Sequence, residues 1–334
     1  MLELLGIGSE EVRIVGIYGM SGIGKTTIAK AVYNMVCEGF EGCSFLSNIK
    51  DDSQQPNGLA RKQEQLLCDI LSWKKIKIDD TDRGVNLIKE RLCCRRVLIV
   101  LDDLVESTQW RPLVGDRKWF GPGSRILVTT RDEHLLKELE VDERYKVEKL
   151  NRQESIQLLS WYAFKRPAPE KDYLELSNSL VEHAQGLPLA LEILGSYLFK
   201  RSQTEWESFV EKLQKVPHHQ IQKKLRISFD TLDDDLLKAM FLDIACFYIG
   251  MDKDYVMTIL DGCGFFPKIG IEVLLERSLI AIDPHNQKLQ MHDLLRDMGR
   301  EIVREVSPSH LGYRSRLWFH QEVIDVLTKH MVKS

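Results

Sequence analysis

No stretch of this 334-residue chain is long and apolar enough to cross a bilayer as a helix. Of its two longest apolar runs, Val97–Leu101 is far too short and Met240–Met251 carries Asp243. The N-terminus, MLELLGIGSEEVRIV, lacks the basic start and apolar core of a secretory signal. A cytoplasmic protein is expected, with the nucleus as the other compartment left open. The seven cysteines are odd in number and scattered, with no C-x-x-C pair, which argues against a disulfide framework or a zinc site and for reduced thiols. A net charge of −4 provides no field that would draw nucleic acid or an anionic membrane to the whole molecule. There is neither an internal repeat nor a low-complexity tract. What is present is ordinary for a globular chain: 43% hydrophobic and 29% charged residues, at a length suited to two or three domains.

The rest is organised around one stretch. An apolar, β-branched run, Arg13–Tyr18, meets Gly19-Met20-Ser21-Gly22-Ile23-Gly24-Lys25-Thr26, and a helix-compatible pattern follows. This is G-x-x-x-x-G-K-T with a strand before it and a helix after it. Gly19, Gly22 and Gly24, with Ile23 between, let successive backbone N–H groups face one concavity. The helix that begins near Lys25 and continues through Thr27 adds its positive end. Lys25 is placed to reach β- and γ-phosphates, and the Thr26 hydroxyl to join a Mg²⁺ shell. The expected ligand is a nucleoside di- or triphosphate.

Up to about residue 150, strand-like and helix-like segments alternate, as in an α/β domain with a parallel sheet. Thr27–Val36, Leu59–Leu71 and Arg83–Leu92 read as helices, Cys43–Ile49 as a strand and Asp51–Gly58 as a polar loop. Arg96–Leu101 and Ser124–Thr130 are continuous apolar runs, expected of strands covered on both faces. From Asn151 the periodicity turns helical, and residues 151–222 read as a helical bundle. Residues 223–306 show helices at Asp234–Phe247, Asp252–Asp261 and Gly270–Ser278. Two short strands follow, Leu279–Ile282 and Lys288–Met291, joined by Asp283-Pro284-His285-Asn286, which is a winged-helix order. Residues 307–334 read as a linker.

The second polar constellation is Asp102-Asp103, at the C-terminal end of a buried strand, where an open parallel sheet has its binding crevice. Adjacent carboxylates there need a cation or strong donors. Asp102 suits Mg²⁺, and Asp103 suits a general base for an attacking water. Aspartate reaches one methylene less far than glutamate, so slow hydrolysis is expected. The next buried strand ends in Thr129-Thr130-Arg131-Asp132, and the fork of Arg131 suits a γ-phosphate. Two further motifs are locally undecided. Gly186-Leu187-Pro188-Leu189-Ala190-Leu191 reads, on local evidence, first as a helix break and restart with proline in the first turn. Met291-His292-Asp293 holds a histidine that is either packed or, with a near-neutral pKa, a donor to a diphosphate.

In order, GMSGIGKTT, LIVLDD, ILVTTRD, YKVEKL, GLPLAL and MHD resemble the NB-ARC module of plant nucleotide-binding, leucine-rich-repeat immune receptors, over nearly the whole chain. FLDIACFYIG and RSRLW resemble the subgroup with an N-terminal Toll/interleukin-receptor (TIR) domain. The resemblance implies an α/β P-loop NTPase domain, a helical bundle and a winged helix. It implies an ADP-bound off state, an ATP-bound on state, slow hydrolysis as reset, and homo-oligomers on activation. It also implies that Pro188 packs on the adenine or ribose and that His292 reaches the β-phosphate. The family's TIR and leucine-rich-repeat domains are not in this sequence. Its adenine-lining segment lies further upstream, so weakened nucleotide affinity is expected.

Two alternatives belong to other classes. A stand-alone ATPase would turn over well above about 1 s⁻¹. A winged-helix DNA-binding regulator would need a basic recognition helix, whereas Ile269–Ser278 carries Glu272 and Glu276 against Arg277.

Overall fold

The two most apolar runs of the N-terminal half become the two central strands of a sheet. In a computed structural model, residues 2–72, 76–308 and 310–328 are described. Two compact units are present: the chain up to Met20 together with Gly24–Glu148 forms the first, and Ser21–Ile23 groups with the chain from Lys149 onward as the second.

The first unit contains strands β1 (Arg13–Tyr18), β2 (Gly42–Leu46), β3 (Val97–Leu104), β4 (Arg125–Thr130) and β5 (Glu143–Lys146), all parallel in the order β2-β3-β4-β1-β5. Its helices are α1 (Leu2–Leu5), α2 (Lys25–Val36), α3 (Ile49–Ser53), α4 (Gly58–Leu71), α5 (Thr81–Leu92), α6 (Ser107–Val114) and α7 (Glu133–Glu138). Every residue of β4 and all but Asp103 of β3 are buried, as continuous apolar runs require when helices cover both sheet faces. One core joins these strands to α4 and α5 through Leu46, Leu66, Ile88, Ile99 and Val128.

Three local readings change. The loop expected at Asp51–Gly58 has a short helix, α3, entering it, with Asn48 in left-handed geometry at its start. Helix α6 was hidden by Pro112 in its interior, yet Glu106 and Gln109 form a reciprocal capping box that starts it. The expectation of reduced thiols fails at one pair: Cys37 and Cys43 are joined as a disulfide, because the turn between α2 and β2 brings their Cα atoms to 6.0 Å. The remaining five cysteines are free.

One buried cation, Arg125 of β4, ties down the start of the chain. Fully buried, it donates from Nη1 to the Glu11 carbonyl at 2.7 Å and from Nη2 to that of Ser9 at 3.0 Å.

The second unit opens with α8 (Arg152–Phe164), α9 (Leu174–Ala184), α10 (Pro188–Leu198) and α11 (Gln203–Lys215). Trp206, almost fully buried, stacks on Phe164 at 5.3 Å and meets Tyr173 edge-on at 5.1 Å. Helix α12 (His219–Asp230) precedes α13 (Asp235–Asp243), which passes into a π-turn at Ile244–Tyr248 rather than running on as α-helix. Then come α14 (Lys253–Gly262), α15 (Pro267–Glu276), the antiparallel pair β6 (Ala281–Ile282) and β7 (Leu289–Gln290), and α16 (Asp293–Val306). Three helices and a hairpin in this order match the winged-helix pattern. The described part of the C-terminal segment, ending in α17 (His320–Thr328), is anchored. Arg316 pairs with Asp243 and donates to the Ala239 carbonyl at 3.0 Å, and the Trp318 ring lies under Arg300 and Arg304.

Candidate nucleotide site

The loop after β1 turns through Gly19, Gly22 and Gly24, with φ of 145°, 78° and 102°, values that side chains resist. Gly24 is the residue before α2 and supplies no side-chain cap, so the first-turn N–H groups of α2 remain available to an anion. Ile23 lies between the last two glycines of this turn, and Thr27 sits in the first turn of α2.

Lys25 is only 7% exposed, and its ammonium donates to the carbonyls of Gly19 at 2.8 Å and Met20 at 2.9 Å. Burial pushes its pKa down to about 7. The Arg131 charge acts in the same direction, and Asp103 and Asp102 oppose it. A cation so poorly solvated gains much from a multiply charged anion.

Asp102, 4% exposed, accepts from the Thr26 hydroxyl at 2.8 Å and from the Thr129 hydroxyl at 2.6 Å. Thr129 in turn accepts from the Asp103 amide at 2.9 Å. This geometry depends on a β-bulge that the amino-acid pattern did not reveal. Strand β3 runs on to Leu104, and between the Leu101–Val128 and Leu104–Thr130 pairings it carries one more residue than β4. Asp103 takes up the difference with φ of 61°. The two carboxylates therefore diverge, one into the Thr26–Thr129 pair and the other toward Arg131. The Arg131 guanidinium meets Asp103 through Nε at 3.3 Å and Nη2 at 3.5 Å.

The expected set Lys25, Thr26, Asp102, Asp103 and Arg131 is thus one connected constellation. A hydroxyl and a carboxylate in contact are hard oxygen donors of the kind Mg²⁺ prefers. Among the described residues no group of three or more His, Cys, Asp or Glu side chains could hold a metal alone. An ion at Thr26 and Asp102 would draw its remaining ligands from phosphate oxygens and water.

The other two expected residues lie in the second unit. Pro188 occupies the first turn of α10, preceded by Gly186 at φ 75°, whose carbonyl accepts from the Leu150 amide at 3.0 Å. His292 is the N-cap of α16, its Nδ1 accepting from the Leu294 amide at 3.2 Å. Only 6% exposed, it has its pKa pushed down to about 3, chiefly by burial and then by Lys149, against a smaller opposing effect from the Gln185 backbone. A near-neutral pKa is therefore not what this ring has. It is neutral at physiological pH, and because Nδ1 accepts, Nε2 carries the proton. That Nε2 is buried without a well-formed hydrogen bond.

Sequence reasoning missed Gln185, just before the Gly186-Leu187-Pro188 turn. Its side-chain carbonyl accepts from the Asp293 amide at 3.3 Å while its amide donates to the Asp293 carboxylate, which Arg296 also pairs at 2.7 Å. A glutamine at a helix end carries no spacing signal, so only the fold could reveal this link.

Residues 3–169 match the NB-ARC domain family, and residues 234–307 match the winged-helix domain of Roq1-like disease resistance proteins. Among curated proteins, the disease resistance protein RPV1 of Vitis rotundifolia is 46% identical over 95% of this chain and 22% of its own length. The TMV resistance protein N of Nicotiana glutinosa is 40% identical over 98% of this chain and 28% of its own. This chain thus spans about a quarter of the length of such relatives. Among solved structures, a signal transduction ATPase with numerous domains from Pyrococcus horikoshii aligns with 98% of this chain and 45% of its own. Its TM-score is 0.34 and its identity 16%. Cdc6p of Pyrobaculum aerophilum aligns with 91% of this chain and 92% of its own, at a TM-score of 0.43 and 14% identity. Among the described residues no helix is long and apolar enough to cross a membrane. With its phosphate loop, paired aspartates and winged helix all in family order, the chain belongs to the NB-ARC family of plant disease resistance proteins.

Proposed function

We propose that this chain is the nucleotide-operated switch of a plant immune receptor: ADP holds it off, ATP turns it on, and slow hydrolysis resets it. The observation that supports this most is the desolvated Lys25 beside Thr26, Asp102, Asp103 and Arg131. Lys25 and the α2 amides bind phosphate oxygens. Thr26 and Asp102 would hold Mg²⁺, which when bound would supply positive charge to the phosphates. Asp103 orients the attacking water, and its short side chain keeps hydrolysis slow. Arg131, which pairs with Asp103, exchanges that carboxylate for a γ-phosphate, so a triphosphate and a diphosphate leave Asp103 in different states.

Pro188 and His292 complete the reading as contacts to adenine or ribose and to the β-phosphate. The neutral Nε2–H of His292 suits the latter, since it donates to an anion without needing to titrate. The parent receptor would add the TIR and leucine-rich-repeat domains and assemble into homo-oligomers when active. The test is the nucleotide that co-purifies, released by denaturation and resolved by anion-exchange chromatography. ADP near one per chain supports the reading. A folded protein that comes out empty and takes up neither ADP nor ATP refutes it.

A further inference from the structure

We infer that Cys37 and Cys43 form a reversible thiol–disulfide modification site at the rear of the phosphate-binding helix. Three observations converge. First, the pair is built by the fold: Cys37 caps the C-terminus of α2, Cys43 lies in β2, and the turn between them sets their Cα atoms 6.0 Å apart, inside the range a disulfide spans. That turn is held independently of the sulfurs. The Glu41 amide donates to the Arg96 carbonyl at 2.9 Å, the Glu41 carboxylate accepts from the Arg96 amide at 3.3 Å, and the Arg96 guanidinium lies over the Phe40 ring. Both cysteines are only half-buried, so small oxidants and reductants reach them.

Second, the reduced state is also provided for. The Cys37 carbonyl, at the end of α2, accepts from the Phe40 amide at 3.1 Å whatever the state of the sulfurs, and the Cys43 sulfur lies 3.1 Å from the same oxygen, so a reduced Cys43 thiol has an acceptor within reach. Either redox form therefore leaves the turn satisfied, which distinguishes a switchable pair from a cross-link on which the fold depends.

Third, the other thiols are not arranged this way. Cys246 is buried with its pKa raised to about 11, and Cys68 and Cys263 are free. The adjacent Cys93 and Cys94 sit at the end of α5 with sulfurs 3.6 Å apart, and the contact raises the Cys94 pKa, which lowers its reactivity.

The oxidant is a peroxide. One thiolate of the pair attacks a peroxide oxygen, cleaving the O–O bond and forming a sulfenic acid with release of water. The second thiol attacks that sulfur, forms the S–S bond and expels a second water. Two thiols thus lose two electrons and two protons to one peroxide, and a dithiol reductant returns them.

Because β2 is an edge strand, it is among the elements most prone to fray, and the cross-link joins it to the helix that carries Lys25 and Thr26. Closing so short a loop raises the melting temperature by about 5 °C.

The experiment uses the whole chain, reduced with dithiothreitol and then treated with hydrogen peroxide, alkylated and digested. Peptide mass spectra of the segment from Ala31 to Lys50 should show an internal link about 2 Da lighter, with Cys37 and Cys43 protected together and both released by dithiothreitol. Cys93 and Cys263 should stay alkylatable under the same dose. In Cys43→Ser, whose hydroxyl keeps the bond to the Cys37 carbonyl, Cys37 should stop at a sulfenic acid that a diketone probe captures, and the oxidation-linked rise in melting temperature should vanish. Alkylation of Cys37 and Cys43 in step with Cys263, or linkage of either to another cysteine, overturns the assignment. So does an unchanged thermal shift in Cys43→Ser.

Discussion

Replacing Lys25 with methionine, which keeps its length and removes its charge, probes the site at its least solvated ion. The ammonium has an ordinary pKa of 10.5 and a folded value of about 7. Between those values the unfolded chain binds a proton that the folded chain does not, so folded stability rises with pH across the window. Each pH unit is worth about 1.4 kcal/mol, and the whole interval about 5 kcal/mol, all of it set against folding at pH 7 and below. Methionine has no such slope. It does forfeit the bonds to the Gly19 and Met20 carbonyls, a loss of about 1–3 kcal/mol that does not vary with pH. The nucleotide-free Lys25→Met protein should therefore be about 3 kcal/mol more stable than the parent at pH 7. The advantage should shrink by about 1.4 kcal/mol per pH unit and reverse near pH 9 to 10. Urea denaturation of both proteins at pH 7, 8 and 9, followed by far-UV circular dichroism, measures this directly. Parallel stability-against-pH curves would refute the claim that Lys25 is a desolvated cation awaiting an anion. The same substitution should abolish retention of nucleotide.

The remaining expectations concern the other parts of the site. His292→Ala should weaken ADP more than ATP in equilibrium titrations. Because the ring is neutral above about pH 3, the ADP effect should be flat from pH 6 to 8; equal losses for both nucleotides, or a pH-dependent one, would contradict the assigned donor. Asp103→Asn should slow hydrolysis by at least about tenfold in a single-turnover assay, the low side of general-base effects, while leaving nucleotide affinity within about threefold. Gly186→Ala should cost about 1–3 kcal/mol in chemical denaturation, since φ is 75° and the new Cβ would run into the Leu150 carbonyl.

Much of the site was legible along the chain because its chemistry is local. A phosphate loop is one strand, a handful of glycines and the first turn of a helix, so Gly19 to Thr27 carried both residue types and context. The fully apolar runs of β3 and β4 likewise marked buried parallel strands, since only strands covered on both faces dispense with alternation. Short elements were harder to read. Helix α12 and the interrupted α6 carry too few apolar turns to stand out, and their form depends on caps and neighbours.

What the amino-acid order determined by itself was the phosphate loop, the alternation of strands and helices, and the family they spell out, because each rests on residues close together along the chain. Tertiary structure alone decided how Asp102 and Asp103 part company, since a bulge is a mismatch between two strands and neither strand records it. It alone decided that His292 is neutral and which nitrogen bears its proton, because both follow from burial and from the helix start that it caps. It also brought Gln185 to Asp293 and Cys37 to Cys43, pairings that come from the path of the chain through space.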